Sequence, residues 1–201
     1  MDAPLRVTVA HASAAGSTAE VAEEITAVLT GRGYQTTCRP AGPDLDPHDA
    51  DALVVGSAVH DMAWLPPALE FLGRAAASGR PTWCFSVGGL AEPYGSRRAR
   101  FLSAGELRRI EQGFPRGFRP RDHHMFAGVV DLARSPLWGR VFYRLTGTGA
   151  GDHRDRPAIR AWAATVADGL DDAAPRPGEP APPGRRAAPD GPRPQPGRSR
   201  S

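Results

Sequence analysis

The chain has 201 residues, with 25 basic and 22 acidic side chains and a formal net charge of +3. Every basic residue is arginine, and the absence of lysine excludes a P-loop NTPase, whose loop lysine reaches the phosphates, and Schiff-base catalysis, which needs an amine. The two cysteines are no disulfide framework, no stretch nears the roughly 20 apolar residues of a membrane span, and the arginine excess is too dispersed to imply nucleic-acid binding. Met1 to Pro4 leads straight into an apolar run without a basic region, so a cytoplasmic protein with reduced Cys38 and Cys84 is expected.

Leu5 to Ala10 is an apolar, β-branched run that predicts a first strand. Thr18 to Thr30 follows with Val21, Ala22, Ile25, Val28 and Leu29 at helical spacing, closed by Gly31-Arg32-Gly33. Tyr34 to Arg39 is a short second strand. Ala52 to Ala58 is a third, apolar without alternation and therefore covered on both faces. Leu65 to Ser78 predicts a helix, Thr82 to Val87 a fourth strand, His124 to Val130 a fifth, and Pro157 to Leu170 a closing helix. Strands alternating with helices imply right-handed crossovers, so the expected fold is a doubly wound α/β domain with a five-stranded parallel sheet in the order 2-1-3-4-5. The domain is expected to span residues 1–170. Residues 171–201 turn to Pro, Arg, Gly and Ala without apolar periodicity and read as a disordered tail.

The loop between the first strand and helix reads Ser13-Ala14-Ala15-Gly16-Ser17-Thr18. Its small residues let the backbone wrap a phosphate, the helix start offers unpaired N–H groups and a partial positive charge, and three hydroxyls add donors. Alone, Gly16 could equally be a simple turn and Ser17 or Thr18 an N-cap. Position favours a ligand, because the crevice between strands one and three is where such sheets bind one. A dinucleotide fold would need Gly-x-Gly-x-x-Gly here, and a metal-dependent receiver domain would need acidic residues after the strand; Ala10-His11-Ala12 supplies none.

With Ser13, Gly16 and Thr18 in the pattern hydroxyl-x-x-Gly-x-hydroxyl, the chain resembles the flavodoxins. It is most similar to flavodoxin-domain proteins of the menaquinone-dependent protoporphyrinogen oxidase type, through Gly56-Ser57-Ala58-Val59-His60, Phe85-Ser86-Val87, Phe126-Ala127-Gly128, the aromatic stretch around Trp138, Phe142 and Tyr143, Gly151-Asp152 and the Trp162 helix. The resemblance implies FMN as cofactor, its phosphate held by Ser13 to Thr18. Its ring would lie between two loops, Ser57, Ala58, Val59 and His60 on one side and Ser86, Val87, Gly88 and Gly89 on the other. Two departures stand out: Ala15 lacks the hydroxyl that flavodoxins place before the glycine, and His11 replaces a residue that is often aromatic.

The implied function is an FMN-binding redox protein, an oxidoreductase taking electrons from a porphyrinogen-like substrate and passing them to a quinone. The alternatives are an electron carrier with protein partners and a binding module whose flavin site has decayed. Arginines crowd the segment Gly89 to Asp122, around a short helix near Glu106 to Gln112, and Arg97 and Arg98 are the candidates for gripping substrate carboxylates beside the flavin. A solvated basic face is the competing reading. Trp138, Val141, Phe142 and Leu145 at helical spacing read as core packing or as a peripheral membrane contact. His123 and His124 are adjacent and point to opposite faces of a strand, so no metal site is expected. No Gly-x-Ser-x-Gly elbow surrounds Ser57, which excludes hydrolase chemistry with His60 and Asp61.

Overall fold

The computed structural model describes residues 3–88, 105–130, 151–152 and 154–173. Its strands are β1 (Arg6–Ala12), β2 (Gln35–Pro40), β3 (Ala52–His60), β4 (Ala63–Trp64), β5 (Thr82–Val87), β6 (His123–Phe126), β7 (Val129–Val130) and β8 (Gly151–Asp152). The helices are α1 (Ser17–Gly31), α2 (Pro66–Ser78), α3 (residues 105–111) and α4 (Arg156–Ala173). Five parallel strands run in the order β2-β1-β3-β5-β6, the expected topology once the short hairpin strand β4 is counted.

Strand parity builds two cores. Val7, Val9, Val54, Trp83 and Phe85 turn to one face, where they meet Val21, Ile25 and Leu29 of α1 and Ile159, Trp162, Val166 and Leu170 of α4. Ala10, Leu53, Val55 and Cys84 turn to the other, against Phe71, Leu72 and Ala75 of α2 and Ile110 of α3. Aromatic side chains fix two glycines here: a Cβ on Gly56 would lie 2.0 Å from the Phe85 ring, and one on Gly169 would lie 3.0 Å from Trp83. Asp155 starts α4 by accepting the Ala158 N–H on its carboxylate at 3.0 Å, one residue before Arg156 and two before Pro157.

Three expectations shift. β1 runs on through His11 and Ala12, and β3 runs on to His60. The fifth strand stops at Phe126; Val129 and Val130 pair instead with Gly151 and Asp152 in a separate antiparallel ribbon. The break falls at Ala127-Gly128, where the Gly88 N–H closes onto the Phe126 carbonyl at 3.0 Å. The stripe around Trp138, Val141, Phe142, Tyr143 and Leu145 lies outside the described residues, as do Gly89, Arg97, Arg98 and the tail from residue 174 onward. No described helix is long and apolar enough to cross a membrane.

His124 sits with ring centroids 4.6 Å from Phe126 and 6.0 Å from Trp162, its Nε2 buried without a partner among the described residues. Burial, the largest effect, holds its pKa below the ordinary histidine value, opposed by Asp122 and assisted by His123. His11 and His123 are lowered by burial in the same way. A folded-state pKa below the unfolded value means that stability is complete above about pH 6.5 and is lost as pH falls below it. Thermal melts should therefore show a Tm that declines between about pH 6.5 and pH 5. His124→Phe should raise the Tm at neutral pH by about 2–4 °C, by removing an unsatisfied nitrogen worth roughly 1 kcal/mol, and should flatten the acid slope.

Candidate functional site

Parallel register brings the candidate segments to one edge. Ala12 lies opposite Ser57, Ser57 opposite Ser86 and Ala58 opposite Val87, so the loop after β1 emerges beside the ends of β3 and β5. Gly88 (φ 150°) follows β5 so closely under the hairpin that a Cβ there would stand 3.1 Å from the Val59 Cβ.

Gly16 is left-handed (φ 94°, ψ −27°), a conformation that glycine adopts without strain, and it forms the N-cap of α1 with no side chain capping the helix. The first intrahelical bond runs from Glu20 N–H to the Gly16 carbonyl at 3.1 Å, leaving the N–H groups of Ser17, Thr18 and Ala19 ahead of the ladder. Ser13 Oγ accepts the Gly16 N–H at 2.9 Å, which leaves the Ser13 hydroxyl hydrogen to donate elsewhere. Thr18 is fully buried and its Oγ1 has no hydrogen-bond partner among the described residues. Ala14, Ala15 and Gly16 are exposed and present no bulk over the loop. An unsatisfied hydroxyl, free amides and a glycine turn at a helix N-terminus together fit a phosphate dianion.

Sequence reasoning missed one cation here. Arg154, 10% exposed, donates to Glu20 Oε2 at 2.6 Å. It neutralises the carboxylate in the first turn of α1, which would otherwise oppose a bound dianion. The pair spans 134 residues, beyond any local pattern.

The expected loop Ser57 to His60 is instead the end of β3, which turns back through Asp61 (φ 50°) and Met62 (φ 63°) to pair Val59 with Trp64 and His60 with Ala63. Two consecutive positive φ values make the tight primed turn that suits a two-residue hairpin. Nor do the expected hydroxyls face the crevice. Ser57 Oγ donates to the Ala58 carbonyl (2.8 Å) and accepts the Leu65 N–H (3.0 Å). Ser86 Oγ accepts the Trp64 indole N–H (2.7 Å) and meets His123 Nε2 (2.9 Å), whose Nδ1 meets Glu111 Oε1 (2.9 Å). Both serines are fully buried.

Donor logic fixes the direction of this chain. The Trp64 N–H can only donate, Ser86 then gives its proton to a neutral His123, and His123 Nδ1–H donates to Glu111. Burial keeps His123 neutral, against the pull of Glu111. Although the order serine, histidine, carboxylate resembles a nucleophilic triad, Ser86 is sealed from solvent and already holds the indole. It anchors the hairpin. Backbone atoms of residues 58–60 and 87–88 are what these segments offer to a ring.

The arginines divide differently from expectation. Arg116, Arg119 and Arg121 precede β6, and Arg121 N–H donates to the Thr82 carbonyl at the start of β5 (2.8 Å), so they stand at the opposite edge of the sheet from Gly16 and Gly88. They lie away from the expected flavin edge, because the chain reaches β6 from the amino end of the sheet.

Thr18→Val should move two quantities in opposite directions. Removing an unsatisfied hydroxyl should leave the apoprotein as stable or more so, while FMN affinity measured by fluorescence quenching falls roughly 5–10-fold for one lost phosphate bond. Equal affinity would place the phosphate elsewhere.

The family model described as "Flavodoxin domain" matches residues 8–156. No curated protein matches the chain in sequence. Among solved structures, a flavodoxin from the domain Archaea superposes with a TM-score of 0.48 at 17% identity, covering 83% of this chain and 99% of its own. Flavodoxin 1 from Bacillus cereus gives 0.47 at 16%, covering 81% and 97%. The Flv1 flavodiiron core from Synechocystis sp. PCC6803 gives 0.47 at 18%, covering 85% of this chain and 37% of that one. With most of its length under that model, this chain belongs to the flavodoxin-domain family, whose cofactor is FMN.

Proposed function

We propose that the chain is an FMN-dependent oxidoreductase that takes electrons from a porphyrinogen-like reduced substrate and passes them to a quinone. The observation that carries its cofactor chemistry is the buried, unpartnered Thr18 Oγ1 beside the open amides of Ser17, Thr18 and Ala19. Bound FMN would supply the electron-accepting ring, since the side chains have no redox chemistry of their own suited to the task. The chain's residues bind and orient. Ser13, Gly16, Ser17 and Thr18 would hold the phosphate by hydrogen bonds, and Arg154 would cancel the charge of Glu20. Residues 58–60 and 87–88 would offer main-chain donors and acceptors to the ring edge and so set its potential. No side chain is assigned a proton.

The porphyrinogen-to-quinone level of this reading is supported by the order of motifs from Gly56 to Trp162 and by Arg97 and Arg98. A second reading, an electron carrier that meets protein partners, gains support from the position of Arg116, Arg119 and Arg121, which removes three cations from the flavin edge.

Purified protein should be yellow, or turn yellow on incubation with FMN, and should bleach under anaerobic addition of a porphyrinogen while porphyrin absorbance grows. A quinone should then restore the yellow colour. Protein that stays colourless with FMN would overturn the redox assignment altogether. Protein that binds FMN but is bleached only by a reductase leaves the electron carrier.

A further inference from the structure

At the amino edge of the sheet, away from the FMN loop, a cavity of about 430 Å³ opens between the end of α2 and the segment entering β6. It is lined by Ala75, Ala76 and Gly79 on one side, by Arg80, Pro81 and Thr82 along the floor, and by residues 116–119 and Arg121 on the other. Among the described residues no carboxylate lines it. Counting residues of β5 at about 3.3 Å each, it lies roughly 16 Å from Val87 at the other end of the strand. The volume is in the usual range for small-molecule sites, about 300–1,000 Å³.

Four arginines line the cavity. Arg80 is half-buried and reaches the His48 carbonyl at 3.5 Å, while Arg116, Arg119 and Arg121 are exposed. Among the described residues none of the four pairs with a carboxylate, whereas Arg6, Arg32, Arg154, Arg156 and Arg160 all do. Asp51, whose carboxyl feels Arg80, is already held by Arg6 at 3.1 Å.

The sequence holds these arginines in place. Residues 114–121 read Phe-Pro-Arg-Gly-Phe-Arg-Pro-Arg, alternating anchors with cations. Phe114 is buried among the α2-side core and Phe118 packs against it, ring centroids 6.1 Å apart. Gly117 turns the chain at φ 79°, Phe118 N–H closes onto the Pro115 carbonyl at 3.0 Å, and two prolines restrict the backbone further. Such a segment gives up little entropy when the arginines engage a ligand.

We propose that this cavity is a binding site for a soluble small molecule bearing two or more phosphate or carboxylate groups, distinct from the FMN loop. Guanidinium forks match both groups bidentately, and Pro81 and Phe118 offer apolar contact to the body of the molecule. The site does not depend on the flavin reading, and its test uses none.

Full-length protein is titrated with inorganic pyrophosphate and with citrate by calorimetry, and its Tm is followed against sodium chloride at matched ionic strength. At saturation the Tm should rise by about 5 °C or more, with binding weakened by added salt. Arg119→Gln combined with Arg121→Gln should reduce affinity about tenfold or more, while Arg108→Gln with Arg109→Gln on α3 should leave it unchanged. Unsaturable binding, equal losses in both double variants, or full binding in the first would overturn the proposal, the last by tracing the anion to the arginines of the tail. Sedimentation with phosphatidylglycerol vesicles in the absence of any pyrophosphate response would also overturn it, in favour of a membrane surface.

Discussion

The left-handed turn at Gly16 decides what the carboxyl edge of the sheet can hold. It stands four residues past the end of β1 and one before α1, so that three amides precede the helical ladder, which closes first at Glu20. A residue with a Cβ would meet no steric obstacle in space there, since nothing lies within 4 Å, but it would be forced into a backbone region that side chains disfavour. The constraint on Gly16 is thus conformational. Relaxing the turn would redirect the first turn of α1 and with it the N–H groups of Ser17, Thr18 and Ala19.

A second constraint places the backbone of residues 58–60. The hairpin of β3 and β4 reaches beyond the parallel sheet, where among the described residues Val59 and His60 pair with β4 alone, and a two-stranded ribbon is marginal by itself. Its far strand is fastened from beneath: Leu65 N–H to Ser57, Trp64 N–H to Ser86, Ser86 to His123 and His123 to Glu111. Phe114 packs edge-on against Trp64 with centroids 4.7 Å apart. Polar groups sealed in a core are stabilising only when fully satisfied, and each member here has its partner. Tension at Asp61 and Met62, both at positive φ, is offset by those anchors.

What the sequence made legible follows from the same physics. Leu53-Val54-Val55 declared a central strand because both faces are covered, and the helical stripes of α1, α2 and α4 declared their inward faces. The glycine turn that opens α1 was legible because glycine and hydroxyls cluster within six residues. The hairpin was hidden, since Asp61-Met62 lacks the glycine that usually marks a primed turn. The expected strand Ala52 to Ala58 already contained the fate of Ser57: it shares parity with Leu53 and Val55, and so faces α2. Arg154 and the chain through His123 were illegible because their contacts join distant segments.

The two edges of the sheet carry complementary electrostatics. Helices that cross between parallel strands begin near the carboxyl edge and end near the amino edge, so amides gather at one and carbonyls at the other. A dianion at the carboxyl edge therefore needs no cationic side chain, and the loop from Ser13 to Thr18 contains none. At the amino edge the end of α2 contributes about half a negative charge, which cations offset. One guanidinium would suffice for that. Four, three of them on the segment anchored by Phe114 and Phe118 and none paired with a carboxylate among the described residues, leave a positive field that the helix cannot absorb. The proposed phosphate site would draw on the backbone; the second proposed site is built from side chains against the local dipole, and such an excess of like charge is relieved when an anion is bound.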